Sequence, residues 1–412
     1  MMFRNKLACV FVVTGLVLSP SIFAETMVFE RSSSMTLSFL VKNVYERYLP
    51  RQKERAQQQQ IDANTEFANA RFADAASINL EHYNDVIGSS DGYQEWQGSV
   101  DLPLWLPGQK QQQLALSHTL SAELPVYQQR LLLDASARVR AVLWPVVLAE
   151  TDVTQTWQTW QTAQELQQNV VSRVKAGDLA GTEALLANSH ALEMQSRFLQ
   201  AQSELDLALA RYQNQTGENT LPAIVEETLS TQTIIDQHHP YLALLDQKIS
   251  TLRTKQELAR FDGAINPNLS VGIRRERGGH DESFTHSVGI GISFALDDAV
   301  YRNANIALAA SSLADADIER LQLERELQAD LLRQRHQLQA KQQQLELVAE
   351  QEKTAKQYLL LQQRAFDLGD IDLVSLLRSQ MLANDAHNRK ISLQVSIKHA
   401  ISAVNQSLGI QL

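Results

Sequence analysis

Along the chain the apolar positions change period in a fixed order. Val288, Ile290, Ile292, Phe294 and Leu296 alternate with Ser287, Gly289, Gly291, Ser293 and Ala295, the period of a strand with one apolar face and one small or polar face. Leu269, Val271 and Ile273 alternate in the same way with Asn268, Ser270 and Gly272, and a polar loop over residues 274–285 joins the two runs. Earlier in the chain, Ile78 and Leu80 alternate with Asn79 and Glu81, and Val100, Leu102, Leu104 and Leu106 with Ser99, Asp101, Pro103 and Trp105. Pro103 cannot donate to a ladder, so this strand is expected at a sheet edge or where a barrel narrows. Strong helix formers follow each strand pair, over about 107–175 and about 301–366. Each segment predicts a helix of roughly 100 Å at about 1.5 Å per residue, the first kinked at Pro125 and Pro145. Leu331, Leu338 and Leu345 recur at seven with Val348 added, among Gln, Arg, Lys and Glu. That stripe is narrow for a globular core and suits a helix that touches neighbours sideways while two faces stay wet.

The same succession occurs twice, displaced by about 190 residues, a period that points to duplication rather than a solenoid. Pro50 answers to Pro240, Lys110 to Arg302, and Leu114-Ala115-Leu116 to Ile306-Ala307-Leu308. RVKAGDLAGTEALL, from Arg173, answers to RAFDLGDIDLVSLL, from Arg364, with Gly177 on Gly369 and Asp178 on Asp370. Gly217 answers to Gly409. Each half reads as helix, strand pair, long helix, tip and returning helix, with repeats over 25–220 and 221–412.

Residues 1–24 read as a secretory signal peptide: Arg4 and Lys6, an apolar run from Leu7 to Leu18, then a small residue at Ala24. Cys9 precedes the end of that run, the wrong place for a lipidated cysteine, so no lipid anchor is expected. Removal of the segment takes the net charge from -10 to -12 and leaves no cysteine. An acidic chain offers no field for a polyanion, which argues against nucleic acid. The most apolar later stretch, 131–149, contains Asp134, Arg138 and Arg140 and does not span a bilayer as a helix. If this exported chain sits in a membrane, it does so by strands that close into a barrel. The strand runs match the length and dyad period of membrane strands, with Trp96, Trp105, Phe284 and Phe294 near their ends as interfacial aromatics; a soluble sandwich is the other reading of the same alternation. Four visible strands are too few for a barrel, so several chains must contribute to one.

The duplicated order of strand pair, long helix, tip glycine and returning helix resembles the TolC-type outer membrane efflux proteins. The tips RVKAGDLAGTEALL and RAFDLGDIDLVSLLRSQ, the junctions PLWLPGQK and SFALDDAVYRNANIAL, and NPNLSVGIRRERG before the third strand carry the resemblance. It covers nearly the whole mature chain, and HHPYLALLDQKISTLRTKQELAR looks most like the branch associated with heavy-metal pumps of the resistance-nodulation-division class. The resemblance implies a mainly α chain with a membrane β-barrel: a homotrimer whose twelve-stranded barrel in outer membrane lipid continues as a long periplasmic α-helical barrel. It implies a passive, gated duct, not an enzyme, with a periplasmic adaptor and an inner-membrane pump as partners and no cofactor.

Candidate site residues cluster at the tips: Gly177, Asp178, Glu183, Gly369, Asp370, Asp372 and Arg378. Gly177 and Gly369 permit a tight turn, and Asp178 and Asp370 either repeat as an acidic ring around a threefold axis or cap helices. In the best-known relatives the spacings of Ser375 and Arg378 from Gly369 carry paired aspartates, so this chain departs from that gate; instead Glu183 and Arg378 are expected to face or pair near the closed tip. His238 and His239 before Pro240, and His280 and His286 in the polar loop, lack the ligand spacing of a metal site and are expected to be incidental surface histidines. Trp157 and Trp160 are expected to pack rather than bind. A periplasmic adaptor or structural coiled coil is the competing class, although an adaptor would carry one hairpin rather than two.

Overall fold

The computed structural model describes residues 29–262, 264–296 and 299–412; the expected signal peptide and Cys9 lie outside them. The first repeat comprises β1 (Glu30–Ser32), α1 (Leu37–Arg47), a 3-10 turn at Leu49–Arg51, α2 (Gln52–Asn69), β2 (Ser77–Asn84), β3 (Gln94–Pro103), α3 (Gln109–Ala176) and α4 (Gly181–Thr216). The second comprises β4 (Thr220–Pro222), α5 (Pro240–Leu258), β5 (Asn268–Arg277), β6 (Thr285–Ser293), α6 (Ala299–Leu368) and α7 (Leu373–Ser407). At 68 and 70 residues, α3 and α6 each reach about 100 Å, and α3 continues as one element through Pro125 and Pro145. Pro240 occupies the first turn of α5, where its missing N–H costs nothing. Its counterpart Pro50 lies in the 3-10 turn.

β2, β3, β5 and β6 pair in that order as one antiparallel sheet. The register sorts the side chains cleanly. Ile78, Val100, Val271 and Ile290 form one rung, Leu80, Gly98, Ile273 and Val288 the next, and Leu102, Leu269 and Ile292 a third, all on one face. Asn79, Ser99, Gly272 and Gly289, with Glu81, Gln97, Arg274 and Ser287, occupy the other. Apart from Leu102 and Leu269, which are half-buried near the helices, the apolar face is exposed, so it lacks the covering layer that a sandwich would supply. β2 and β6 have no further strand partner among the described residues.

Several boundaries differ from the sequence expectation. β3 is interior rather than an edge, and Pro103 is tolerated because it is the strand's last residue, opposite Asn268. Leu104 and Leu106 fall beyond β3: the indole N–H of Trp105 and the ammonium of Lys110 both donate to the carbonyl of Ala70, at 3.2 and 2.9 Å, drawing the chain out of the ladder to cap α2. His286 belongs to β6, not to the loop. The parallel pair β1 and β4 was not anticipated.

The helices lie side by side below the sheet. Near it the packing order is α2, α3, α5, α6; further away it is α4, α3, α7, α6. α3 sits inside both layers and α6 at one edge of both. The largest core joins Leu40 and Val44 of α1, Val139, Leu143 and Trp144 of α3, Leu209 and Tyr212 of α4, and Leu221 of β4. On α6 the buried residues Ala316, Leu327, Leu331, Leu338, Val348 and Phe366 share one face. Leu321, Leu332, Leu347 and Leu361 are exposed, and at about 100° per residue they form a second stripe on the opposite face. α4 repeats the arrangement at the other edge: Ala187, Ala191, Met194 and Ala201 are buried, while Leu185, Leu192, Leu199 and Leu207 form an exposed stripe opposite them.

Candidate functional site

At the two tips the duplicated sequence becomes duplicated backbone. Gly177 ends α3 at φ 85°, and Gly369 follows α6 at φ 82°. This left-handed conformation is open to glycine and strained for other residues. The N–H of Asp178 then bonds Arg173 O at 2.9 Å and that of Asp370 bonds Ala365 O at 2.8 Å. Each pair is the 6→1 bond of a Schellman ending. A Cβ at either glycine would meet nothing within 4 Å, so these glycines are required by backbone conformation and not by crowding.

The site residues predicted from sequence take distinct places around these turns. Asp178 and Asp370 are exposed and contribute their backbone N–H groups to the turns. Asp372 is the N-cap of α7; its Oδ1 accepts from Ser375 N at 2.9 Å. The hydrogen bonding to Ser375 holds its carboxyl below the ordinary range, against a smaller opposing effect of desolvation. The corresponding residue of the first tip is Ala180, which has no side-chain cap to offer. Glu183 lies in the first turn of α4 with its Oε2 enclosed and unpartnered within the chain. Arg378 is exposed on α7. The two do not form an ion pair within one chain.

The tips also meet each other. Val170, Ala187, Phe366, Leu373, Leu376 and Leu377 form a cluster that draws on α3, α4, α6 and α7. Arg173 binds it from the side, with its guanidinium 4.8 Å from the Phe366 ring centroid and Nη1 donating to Phe366 O at 3.4 Å. Both turns therefore stand on one shared apolar cluster.

Two charged knots were not found from sequence. Glu352 of α6 is covered on three sides, with Lys356 Nζ at 2.6 Å, His387 Nδ1 at 2.7 Å and Lys390 Nζ at 2.8 Å. The hydrogen bonds from Lys356 and Lys390 dominate, outweighing desolvation, and hold its carboxyl down at about 2. Only the spacing of Glu352 and Lys356 on one helix signals this in the sequence; the other two partners come from α7. The second knot joins the repeats. Arg140 of α3 makes a bidentate pair with Glu227, at 2.9 and 2.6 Å, and Ser402 and Asn405 of α7 also donate to that carboxylate. Burial pushes Glu227 up, but Arg140, Ser402 and Asn405 more than offset it and its carboxyl titrates below the ordinary value. Arg140, which bars the 131–149 stretch from lipid, is thus a buried anchor for the segment after β4.

The histidines divide differently from the sequence expectation. His238 is exposed, but His239 is buried. Its Nδ1 caps α5 by accepting from Tyr241 N at 3.3 Å, and its imidazole lies where a Cβ at Gly409 would stand. Burial alone lowers its pKa to about 4 and keeps it neutral. No group of three or more metal-ligating side chains is assembled among the described residues. Trp160 packs on Phe198, centroids 5.4 Å apart, whereas Trp157 is exposed on the single chain and does not pack as expected.

No described helix is long and apolar enough to cross a membrane. Residues 240–410 match the family model of the outer membrane efflux proteins. No curated sequence matches significantly. Among solved structures, the outer membrane protein VceC of Vibrio cholerae superposes with a TM-score of 0.68 at 13% identity, covering 91% of this chain and 96% of that one. CusC, described for its folding and transmembrane channel formation, gives 0.68 at 12% identity over 91% and 92%. The open state of the MtrE outer membrane channel of Neisseria gonorrhoeae gives 0.67 at 11% identity over 91% and 89%.

Proposed function

We propose that this chain, which has the fold of the outer membrane efflux proteins and matches their family over its second repeat, forms a trimeric outer membrane channel. It serves as the passive exit duct of a tripartite efflux system. One observation carries the reading: the chain is an open arc at every level. Among the described residues its sheet ends in unpaired β2 and β6, and its helical layer ends in α4 and α6, each with a second apolar stripe facing away from the chain. The β2 and α4 edge belongs to the first repeat and the β6 and α6 edge to the second. Copies therefore join head to tail, and a ring of three would close a barrel of ordinary size. The apolar face then meets lipid and the polar face lines the lumen.

In this arrangement the tip surface is the end that receives an adaptor and an inner-membrane pump. Asp178 and Asp370 from each copy form a ring of charge around the entrance, while Glu183 and Arg378 approach one another across the closed tip. The α5 sequence favours a pump of the resistance-nodulation-division class with heavy-metal cations as cargo. Purified protein in detergent should run as a trimer and give discrete conductance steps in a planar bilayer. Neutralising Glu183 and Arg378 together should raise the closed-state conductance. A stable monomer without conductance overturns the channel.

A further inference from the structure

Toward the end of the sheet remote from the helices, the last rung of the apolar face that spans all four strands is not apolar, and the rung beyond it holds Asn84, Gln94 and Arg277. Trp96 pairs with His82 on one side and Arg275 on the other, and Arg275 pairs with His286. Arg274, one residue away on the polar face, is matched by Glu95 at 3.7 Å and Glu276 at 3.0 Å. Arg275 has the Phe284 ring at 4.0 Å and no carboxylate partner among the described residues. Immediately below this rung the face dips, because Gly98 carries no side chain between Leu80 and Ile273. The resulting groove, about 440 Å³, is walled by Leu80, Ile273 and Val288 and roofed by Trp96, Arg275 and His286.

Resting on the channel reading, which puts this face in lipid and this end outermost, we propose that the groove is a specific seat for a phosphorylated lipid of the outer leaflet. Its phosphate pairs with Arg275 and its acyl chain lies over Gly98. A cation on the lipid face is least costly at the interface, and there a phosphate supplies the counter-charge that the protein withholds. The guanidinium fork matches phosphate geometry, and the Phe284 ring orients it. His286 adds a hydrogen-bonding nitrogen beside Arg275, while His82 stacks on Trp96, centroids 4.0 Å apart, and holds that ring in place. The adjacent polar face, where Arg274 is matched by Glu95 and Glu276, shows the contrast expected between lumen and lipid.

The test is native mass spectrometry of the intact detergent-solubilised protein with lipid A, the bis-phosphorylated and multiply acylated disaccharide, alongside its dephosphorylated form and inorganic phosphate. The expected result is a lipid A adduct that dephosphorylation weakens by about tenfold or more and that excess inorganic phosphate does not remove. R275Q should weaken it similarly, and R275K should retain part of it. G98L should weaken it by filling the groove while leaving every charge in place. Trimer mass and conductance, recorded on the same samples, separate the two readings. Conducting trimers that bind both lipid forms equally, that bind R275Q and wild type alike, or that bind no lipid A overturn the seat and leave the channel standing. Absence of trimers overturns both.

Discussion

α3 and α6 occupy equivalent places in the two repeats and span 68 and 70 residues, but α3 is packed by neighbours on several sides and α6 on one. α3 meets α1, α2, α4, α5 and α7, whereas α6 meets α5 and α7. The two sequences differ accordingly. α3 buries large residues such as Tyr127, Leu131, Val139 and Trp144 around much of its circumference. α6 confines its apolar residues to two narrow stripes on opposite faces, one covered within the chain and one left open. The same architectural unit has thus been adapted to an inside and an outside place in an arc. The open stripe is the part of α6 that an isolated chain gives no use.

The comparison fails most visibly if that stripe is idle. Leu347 and Leu361 are 74% and 62% exposed in the single chain, so charge there should cost a monomer little. Against the apolar edge of a neighbouring α4, two buried and unpaired carboxylates would be prohibitive. L347E/L361E is therefore expected to abolish the trimer in native mass spectrometry and conductance in planar bilayers, while helical content by circular dichroism persists. Trimers that survive both changes would show that α6 is an ordinary wet helix.

The next largest effect concerns what fastens α3 to the second repeat. R140A leaves the Glu227 carboxylate buried with Ser402 and Asn405 but without its guanidinium, at an expected cost of about 3–5 kcal/mol in denaturant unfolding. R140M/E227L, which removes both charges and restores apolar volume, should cost less than the single change. If R140A costs under about 1 kcal/mol, the knot is not what holds α3 at the centre of the arc.

Much of this organisation is legible in the sequence because it rests on local rules. Alternation placed the four strands, and glycine at Gly177 and Gly369 marked two tight turns, which take φ 85° and 82°; Gly217 and Gly409, matched only as repeat markers, adopt the same conformation at 77° and 80°. What escaped depends on partners distant in the chain. Glu227 and Arg140 are 87 residues apart, and nothing nearby distinguishes either from a surface charge. His239 looks like an exposed residue beside His238 until Gly409 closes over it. β1 and β4 are three residues each, too short for periodicity to register. At the site, the turn glycines follow from local chemistry, whereas the side-chain cap falls on Asp372 and not on Asp178 or Asp370, where the sequence had allowed for it. The fate of Glu183 and Arg378 does not follow from local chemistry, because within one chain neither finds the other.

Glu352 offers a smaller test on the covered side of α6. Its carboxyl is held at about 2 against an ordinary 4.5, so the folded state favours the charged form. The stability it adds is complete above about pH 4.5 and is lost as pH falls toward 2. The side chains of Lys356 and Lys390 remain partly open to water, so salt should reduce the effect. Thermal midpoints of wild type should fall more steeply over that interval than those of E352Q. Parallel profiles would mean that the cluster is decorative and that α6 is held by its leucines alone.

The smallest effect lies at the tips, where the two repeats differ by one cap. Asp372 accepts from Ser375 N through its side chain, whereas Ala180 begins α4 with no side-chain cap and only its carbonyl accepting from Glu183 N at 3.1 Å. D372A should cost about 1 kcal/mol, and A180D should recover a similar amount if α4 accepts the same geometry. The difference sharpens the comparison because the two tips share one apolar cluster through Phe366, Leu373 and Ala187, so a gain at one end of the cluster and a loss at the other should nearly cancel in the double variant. Hydrogen exchange of the first-turn amides reads each end separately: Ser375 N should lose protection in D372A, and Glu183 N should gain it in A180D. If A180D leaves the first tip unprotected, the missing cap is not an omission. The first turn of α4 is then held by something outside the chain, for which the enclosed and unpartnered Oε2 of Glu183 is the nearest acceptor.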